Sequence, residues 1–256
     1  TNDATLGTSK DNTLYEHTSG GLSNGSGVHM FVGNTAGGST RRAVIAFNLS
    51  GIPSNATVNS ASLTLNMSKT SSGSQTVSVH KLTADWGEAG SNASNNEGSG
   101  TTPQNGDATW IHRFFNSASW NTTGGDFNST ASASQTVSGT GKYTWTSAQL
   151  IADVQSWATD KNSNFGWLLK GNESSNKTTK RFDTRENSFG PRRPVLVINY
   201  TFTVPTATPF PTVTHTATPT ATPTVTPTPT STRTPFPTNT ATPTPFPDPT
   251  STVTAF

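Results

Sequence analysis

The chain has 256 residues, 29% apolar and 12% charged, with a formal charge of +2, and its 22 glycines raise the apolar share only to about 38%, against roughly 45–50% in ordinary globular domains. So little Leu, Glu and Lys excludes a helix bundle, a coiled coil and a highly charged disordered chain, while the absence of Cys excludes disulfides, thiolate metal sites and a Cys nucleophile. With no Lys/Arg run longer than a pair and no apolar run near the roughly 18 residues of a bilayer span, neither nucleic acid nor a membrane span is expected.

The chain begins at Thr1 without a basic-then-apolar leader, as expected of a mature product that is secreted, extracellular or at the cell surface. Short β-branched and aromatic runs between Gly/Asn/Ser clusters then predict strands at 13–17, 28–32, 41–47, 57–67, 76–82, 109–115, 142–145, 165–170, 180–183 and 195–202. Alternation is clearest at Ala61, Leu63, Leu65 and Met67. Val195 to Ile198 is apolar at successive positions, which predicts a central strand. The run Thr146-Ser147-Ala148-Gln149 fits a capping box, and Leu150, Ile151, Val154 and Trp157 follow on one helical face, expected to plug one end of the sandwich. Between Thr83 and Ser138 the chain is rich in Asn, Gly and Ser, and a connection of that length points to function or mobility.

Composition changes near Phe202. Beyond it fall 13 of the 17 prolines, and the charged residues are only Arg233 and Asp248. The expected organisation is therefore a β-sandwich at 1–202 and an extended Thr/Pro-rich tail at 203–256. From Thr206 to Phe256 every even position is Thr or Phe, except Asp248, and every proline is odd. In a strand, that parity removes donors from one edge only, so the tail could add to a sheet; polyproline II would make no use of it. Phe210, Phe236 and Phe246 each sit inside Pro-Phe-Pro and Phe256 ends the chain, so all four read as assembly anchors. Thr218, Thr220, Thr222, Thr224, Thr226 and Thr228 have the composition of an O-glycosylated stalk.

Five ordered motifs carry a resemblance over residues 1–202. They are Asp11-Asn12-Thr13-Leu14-Tyr15-Glu16, Arg41 to Phe47, Ala84-Asp85-Trp86-Gly87-Glu88, Asp107-Ala108-Thr109-Trp110, and Asn164-Phe165-Gly166-Trp167 followed by Lys180 to Glu186. Together they resemble the DNRLRE-type secreted domain, a group similar to carbohydrate-binding module family 96. The resemblance implies an all-β, jelly-roll β-sandwich, an extracellular setting and polysaccharide binding, and it implies no catalytic residue.

Residues patterned for chemistry are otherwise sparse. Gly21-Leu22-Ser23-Asn24-Gly25 has the G-x-S-x-G spacing without the preceding strand and following helix of a nucleophile elbow. His17, His29, His80, His112 and His215 are not paired at metal-ligand spacing. Trp86, Trp110 and Trp120, with Glu88 and Asp107, are candidates for a glycan platform, because sugar rings stack on aromatic faces while carboxylates bond the hydroxyls; the alternative is that these tryptophans pin the long loop. Asp85, Glu88, Asp107 and Asp126 could cap turns, hold a structural Ca²⁺ through oxygen, or pair for glycoside hydrolysis. No other cofactor is expected. The leading expectation is a non-enzymatic structural subunit whose tail docks on other copies to build a homopolymeric filament or sheath. The alternative is a polysaccharide-binding module on a glycosylated stalk, and the third is a polysaccharide lyase or hydrolase.

Overall fold

The computed structural model describes residues 1–204; the candidate anchors Phe210, Phe236, Phe246 and Phe256 and the candidate glycosylation sites Thr218 to Thr228 lie outside the described residues. The fold is a barrel-like β-sandwich with one short α-helix.

The first sheet is built around β4 (Thr57–Thr70). One edge of β4 pairs with β12 (Val195–Thr201) and then with β11 (Lys180–Asp183), and the other pairs with β9 (Gly141–Trp145). The second sheet runs β3 (Thr40–Phe47), β10 (Trp167–Lys170), β5 (Gln75–Lys81), β8 (Ala133–Val137). Two strands belong to both sheets. β1 (Asn2–Tyr15) pairs with β12 through Gly7, passes a bulge between Thr8 and Lys10, and then pairs with β3; β2 (His29–Asn34) pairs with β11 and then with β3. These crossings close the sandwich towards a barrel and leave fewer free edges.

Main-core side chains come from alternate strand positions, as the pleat requires: Leu63, Leu65 and Met67 from β4, Ala43, Ile45 and Phe47 from β3, Val77 and Val79 from β5. On β3 the intervening Val44 and Ala46 are buried as well, on the opposite face, with Leu14, Leu82, Trp86, Ala108, Trp120 and Leu168. The second sheet is therefore covered on both sides, and the cover is the segment that begins at Thr83. That segment contains a 3-10 turn (Ser94–Ser99) and a small ribbon of β6 (His112–Phe114) with β7 (Ala118–Ser119).

Three expectations about elements change. β1 starts at Asn2, not Thr13, because pairing with β12 needs only Ala4 and Leu6 against the core and leaves the rest polar. β8 escapes the sequence reading because it pairs with β5 alone and buries little beyond Ala133 and Val137. β12 is central, as expected, between β1 and β4, and only one of its faces is covered: Leu196 and Ile198 are buried while Val197 is 39% exposed. The two-faced strand is β3. Finally, the helix α1 (Ala148–Thr159) is capped by Ser147, whose Oγ accepts from Leu150 N at 2.9 Å, while Gln149 donates to Asp153, so the box headed by Thr146 does not form.

The predicted helical face is otherwise as expected, with Leu150, Val154 and Trp157 in the main core and Ile151 against it. Trp157 meets Trp167 edge to face at 4.5 Å, and buried Asp153 accepts the Trp167 indole N–H at 2.9 Å. Ser147→Ala should cost about 1 kcal/mol through the lost cap, measured by denaturant unfolding, whereas Thr146→Ala should cost little. Among the described residues no helix is long and apolar enough to cross a membrane.

Candidate functional site

The long segment is pinned by its tryptophans. Trp86 is fully buried and donates its indole N–H to the Phe165 carbonyl at 2.8 Å; Trp120 is 5% exposed and donates to the Thr109 carbonyl at 2.9 Å. Neither has an open ring face on which a sugar could stack. Trp110 is half-buried, with the Arg42 guanidinium 4.9 Å from its ring centroid and that guanidinium doubly hydrogen-bonded to Glu173. A three-tryptophan platform is thus replaced by two core residues and one ring shared with an arginine. Ser23, at the centre of the G-x-S-x-G spacing, is also buried, and its hydroxyl bonds Asn12 and the Ala108 carbonyl.

The four singled-out carboxylates have separate surroundings. Asp107 is fully buried and accepts from the backbone N–H groups of Ala89 and Gln104, each at 2.7 Å. Asp126 caps a turn through the N–H groups of Asn121 and Thr122. Asp85 is half-exposed and pairs with Lys10 at 2.7 Å. These three organise loops. Glu88 alone enters a cluster: one carboxylate oxygen each from Asp11, Glu88 and Glu186 lie within 4.8 Å of one another. Asp11 comes from β1, Glu88 from the long segment, and Glu186 from the loop after β11.

Between the last two stands Arg185, bonded to both oxygens of Glu88 and paired with Glu186 at 2.9 Å. Burial, then the charge of Glu186, raises the Asp11 carboxyl well above its ordinary value. Burial, joined for Glu186 by the charge of Glu88, raises both glutamates, and the bond to Glu88 raises Arg185. A second buried network has His29 between Glu97 at Nδ1 and Asp183 at Nε2, the latter 3.4 Å away; Asp183 also accepts from Asn66 at 2.6 Å.

The cationic surface lies beside this network. A groove of about 260 Å³ is lined by Phe31, Ala36, Arg41, Lys69, Lys177 and Arg181, and it continues past Gly98 towards His29 and Glu97. Arg41 is buried over the Tyr15 ring and burial lowers its pKa; Arg181 donates to Ser68 at 3.0 Å. None of the four cations makes a salt bridge within the described residues. A separate shallow face between β5 and β10 carries Gln75, Ser78, His80, Lys170 and Asn172.

Sequence reasoning did not single out Asp11, Glu186, Arg41, Lys69, Lys177 or Arg181 as site residues. Asp11, Arg41, Arg181 and Glu186 stand within the motifs quoted for the resemblance, so their types were visible and their meeting was not. No curated protein matches the chain. A family model does match residues 2–115, the part that supplies β1 to β6 and carries Asp11, Arg41, Lys69 and Glu88, and over that stretch the chain is similar to carbohydrate-binding module family 96.

Proposed function

We propose that residues 1–204 act as a non-catalytic, extracellular polysaccharide-binding module whose ligand is an acidic chain, bearing carboxylate or sulfate groups. Supporting this is the match to a carbohydrate-binding family over residues 2–115. The single observation that carries the acidic ligand is the groove in which Arg41, Lys69, Lys177 and Arg181 line a floor formed partly by Phe31 and Ala36. Unpaired cations over a low-dielectric floor attract anionic substituents and bond them more strongly than neutral hydroxyls, while apolar atoms receive the C–H face of a sugar. Glu97 at the far end, already bonded to His29 and to Val28 N, is the counter-charge nearest the groove's continuation.

Among the readings open to the sequence, the match favours polysaccharide binding. The docking residues of the filament reading all belong to the tail, outside the described residues.

Affinity electrophoresis through gels containing a polyuronate or a neutral β-glucan tests the proposal. The protein should be retarded by the polyuronate and not by the glucan, and raising the salt should weaken the retardation. The double variant Lys69→Ala/Arg181→Ala should lose roughly tenfold or more in affinity, about 1.4 kcal/mol, with an unchanged melting temperature. Equal retardation by both polymers, indifferent to salt and to these substitutions, would overturn it.

A further inference from the structure

The cluster of Asp11, Glu88 and Glu186 is a poor arrangement for bare carboxylates. Asp11 is 1% exposed, and its Oδ2 accepts from Arg185 N at 3.0 Å while its Oδ1 has no partner among the described residues. Oε2 of Glu186 is likewise buried and unpartnered. A buried carboxylate oxygen without a donor costs the full desolvation of that atom. Arg185 supplies one positive charge to three carboxylates, leaving two negative charges, and the neighbouring Lys10 is engaged by Asp85 and the Trp86 carbonyl.

We propose that Asp11, Glu88 and Glu186 hold one divalent cation of the calcium type. The donor set is all oxygen, with no imidazole or thiolate, which suits a hard cation, and the charge left over after Arg185 matches +2. The unpartnered Oδ1 of Asp11 and Oε2 of Glu186 are the oxygens free to turn to the ion. Water completes the coordination on the partly exposed side of Glu186. The ion joins three chain segments far apart in sequence: β1 just after its bulge, the start of the long segment beside Trp86, and the turn after β11. It is thus a clasp that fastens the long segment to the sandwich, separate from the cationic groove.

The test uses the full chain, stripped with a chelator and then titrated at neutral pH. Calcium should bind with one-site stoichiometry by calorimetry and raise the melting temperature by something on the order of 5 °C at saturation. Terbium(III) provides a second measurement on the unmodified protein, since Trp86 is two residues from Glu88 and should sensitise its luminescence, with calcium displacing it. Glu186→Gln, at a partly exposed position, and Asp11→Asn should each abolish the calcium response. The proposal is overturned if calcium gives neither heat nor a melting shift and terbium gives no sensitised emission, as would follow if the cluster holds protons instead. It is equally overturned if both variants respond to calcium as the parent does. Polyuronate binding that persists in stripped protein would leave the glycan reading intact whichever way the calcium result falls.

Discussion

Gly166→Ala is expected to lower stability by about 4 kcal/mol or more, which for a domain of this size is a fall of roughly 10 °C or more in melting temperature. Gly166 precedes β10 with φ of +80°, where an L side chain alone costs about 1–2 kcal/mol. A Cβ built there lies 2.0 Å from the Ile45 carbonyl oxygen and 2.8 Å from Ala46 Cα. Both obstacles are backbone atoms of β3, and β3 is held on one edge by β1 and on the other by β10. No side-chain rotation relieves the contact. Either the β3 backbone moves, disturbing both ladders, or β10 starts displaced and Leu82 N loses its 3.0 Å bond to the Gly166 carbonyl. Gly51→Ala is the control, with no positive φ and nothing within 4 Å of the added carbon, and its effect should stay within about 0.5 kcal/mol. Thermal melts of the pair decide the matter: equal melting temperatures would mean that the approach of Gly166 to β3 is not what holds this junction.

Trp86→Ala should cost about 3–5 kcal/mol, because a fully buried indole is removed from the second core and the Phe165 carbonyl loses its donor. The loss should be local in consequence. The cover of the second sheet loosens first, since Trp86 packs with Leu14, Val44, Ala46 and Leu168 on that side, whereas the main core keeps all its members. Hydrogen exchange should therefore quicken in the segment from Thr83 to Phe127 before it quickens in β4 or β12. At temperatures where the variant stays folded, its affinity for a polysaccharide should be that of the parent. Unchanged melting together with lost glycan affinity would restore Trp86 as a stacking platform and refute its role as a pin. Trp110→Ala, at a half-buried ring whose distinctive contact is Arg42, should cost much less.

How far the site was legible follows from these same residues. The types needed were all visible: Asp11, Glu88, Arg185 and Glu186 stand inside quoted motifs, and the tryptophans of the long segment were conspicuous in a chain so poor in large apolar residues. Their roles were not visible. Trp86 and Trp120 read as well for a platform as for a pin, because one-dimensional spacing does not say whether a loop lies back on a sheet. The deciding signal was elsewhere, in Val44 and Ala46, whose apolar character between Ala43, Ile45 and Phe47 required a second cover. The apolar run at Val195 to Ile198 marked a central strand, as β12 is, but not that one of its faces stays open: Val197 faces outward at a β-branched strand position that water tolerates.

The sequence by itself determined the all-β class, most strands, the helical face of α1 and the exclusion of thiolate chemistry, because these depend on composition and on periodicities of two and 3.6 residues, which are local. It also determined the compositional break near Phe202. The tertiary structure alone decided where β1 and β2 pass from one sheet to the other, which face of β3 needs the long segment, and which charges meet. Asp11 and Glu186 are separated by most of the domain in sequence, and only antiparallel registers linking β1, β3, β2 and β11 bring them within reach of Glu88. Charge interactions act through space and burial sets their strength, so the carboxylate cluster and the cationic groove exist only once the sheets have closed.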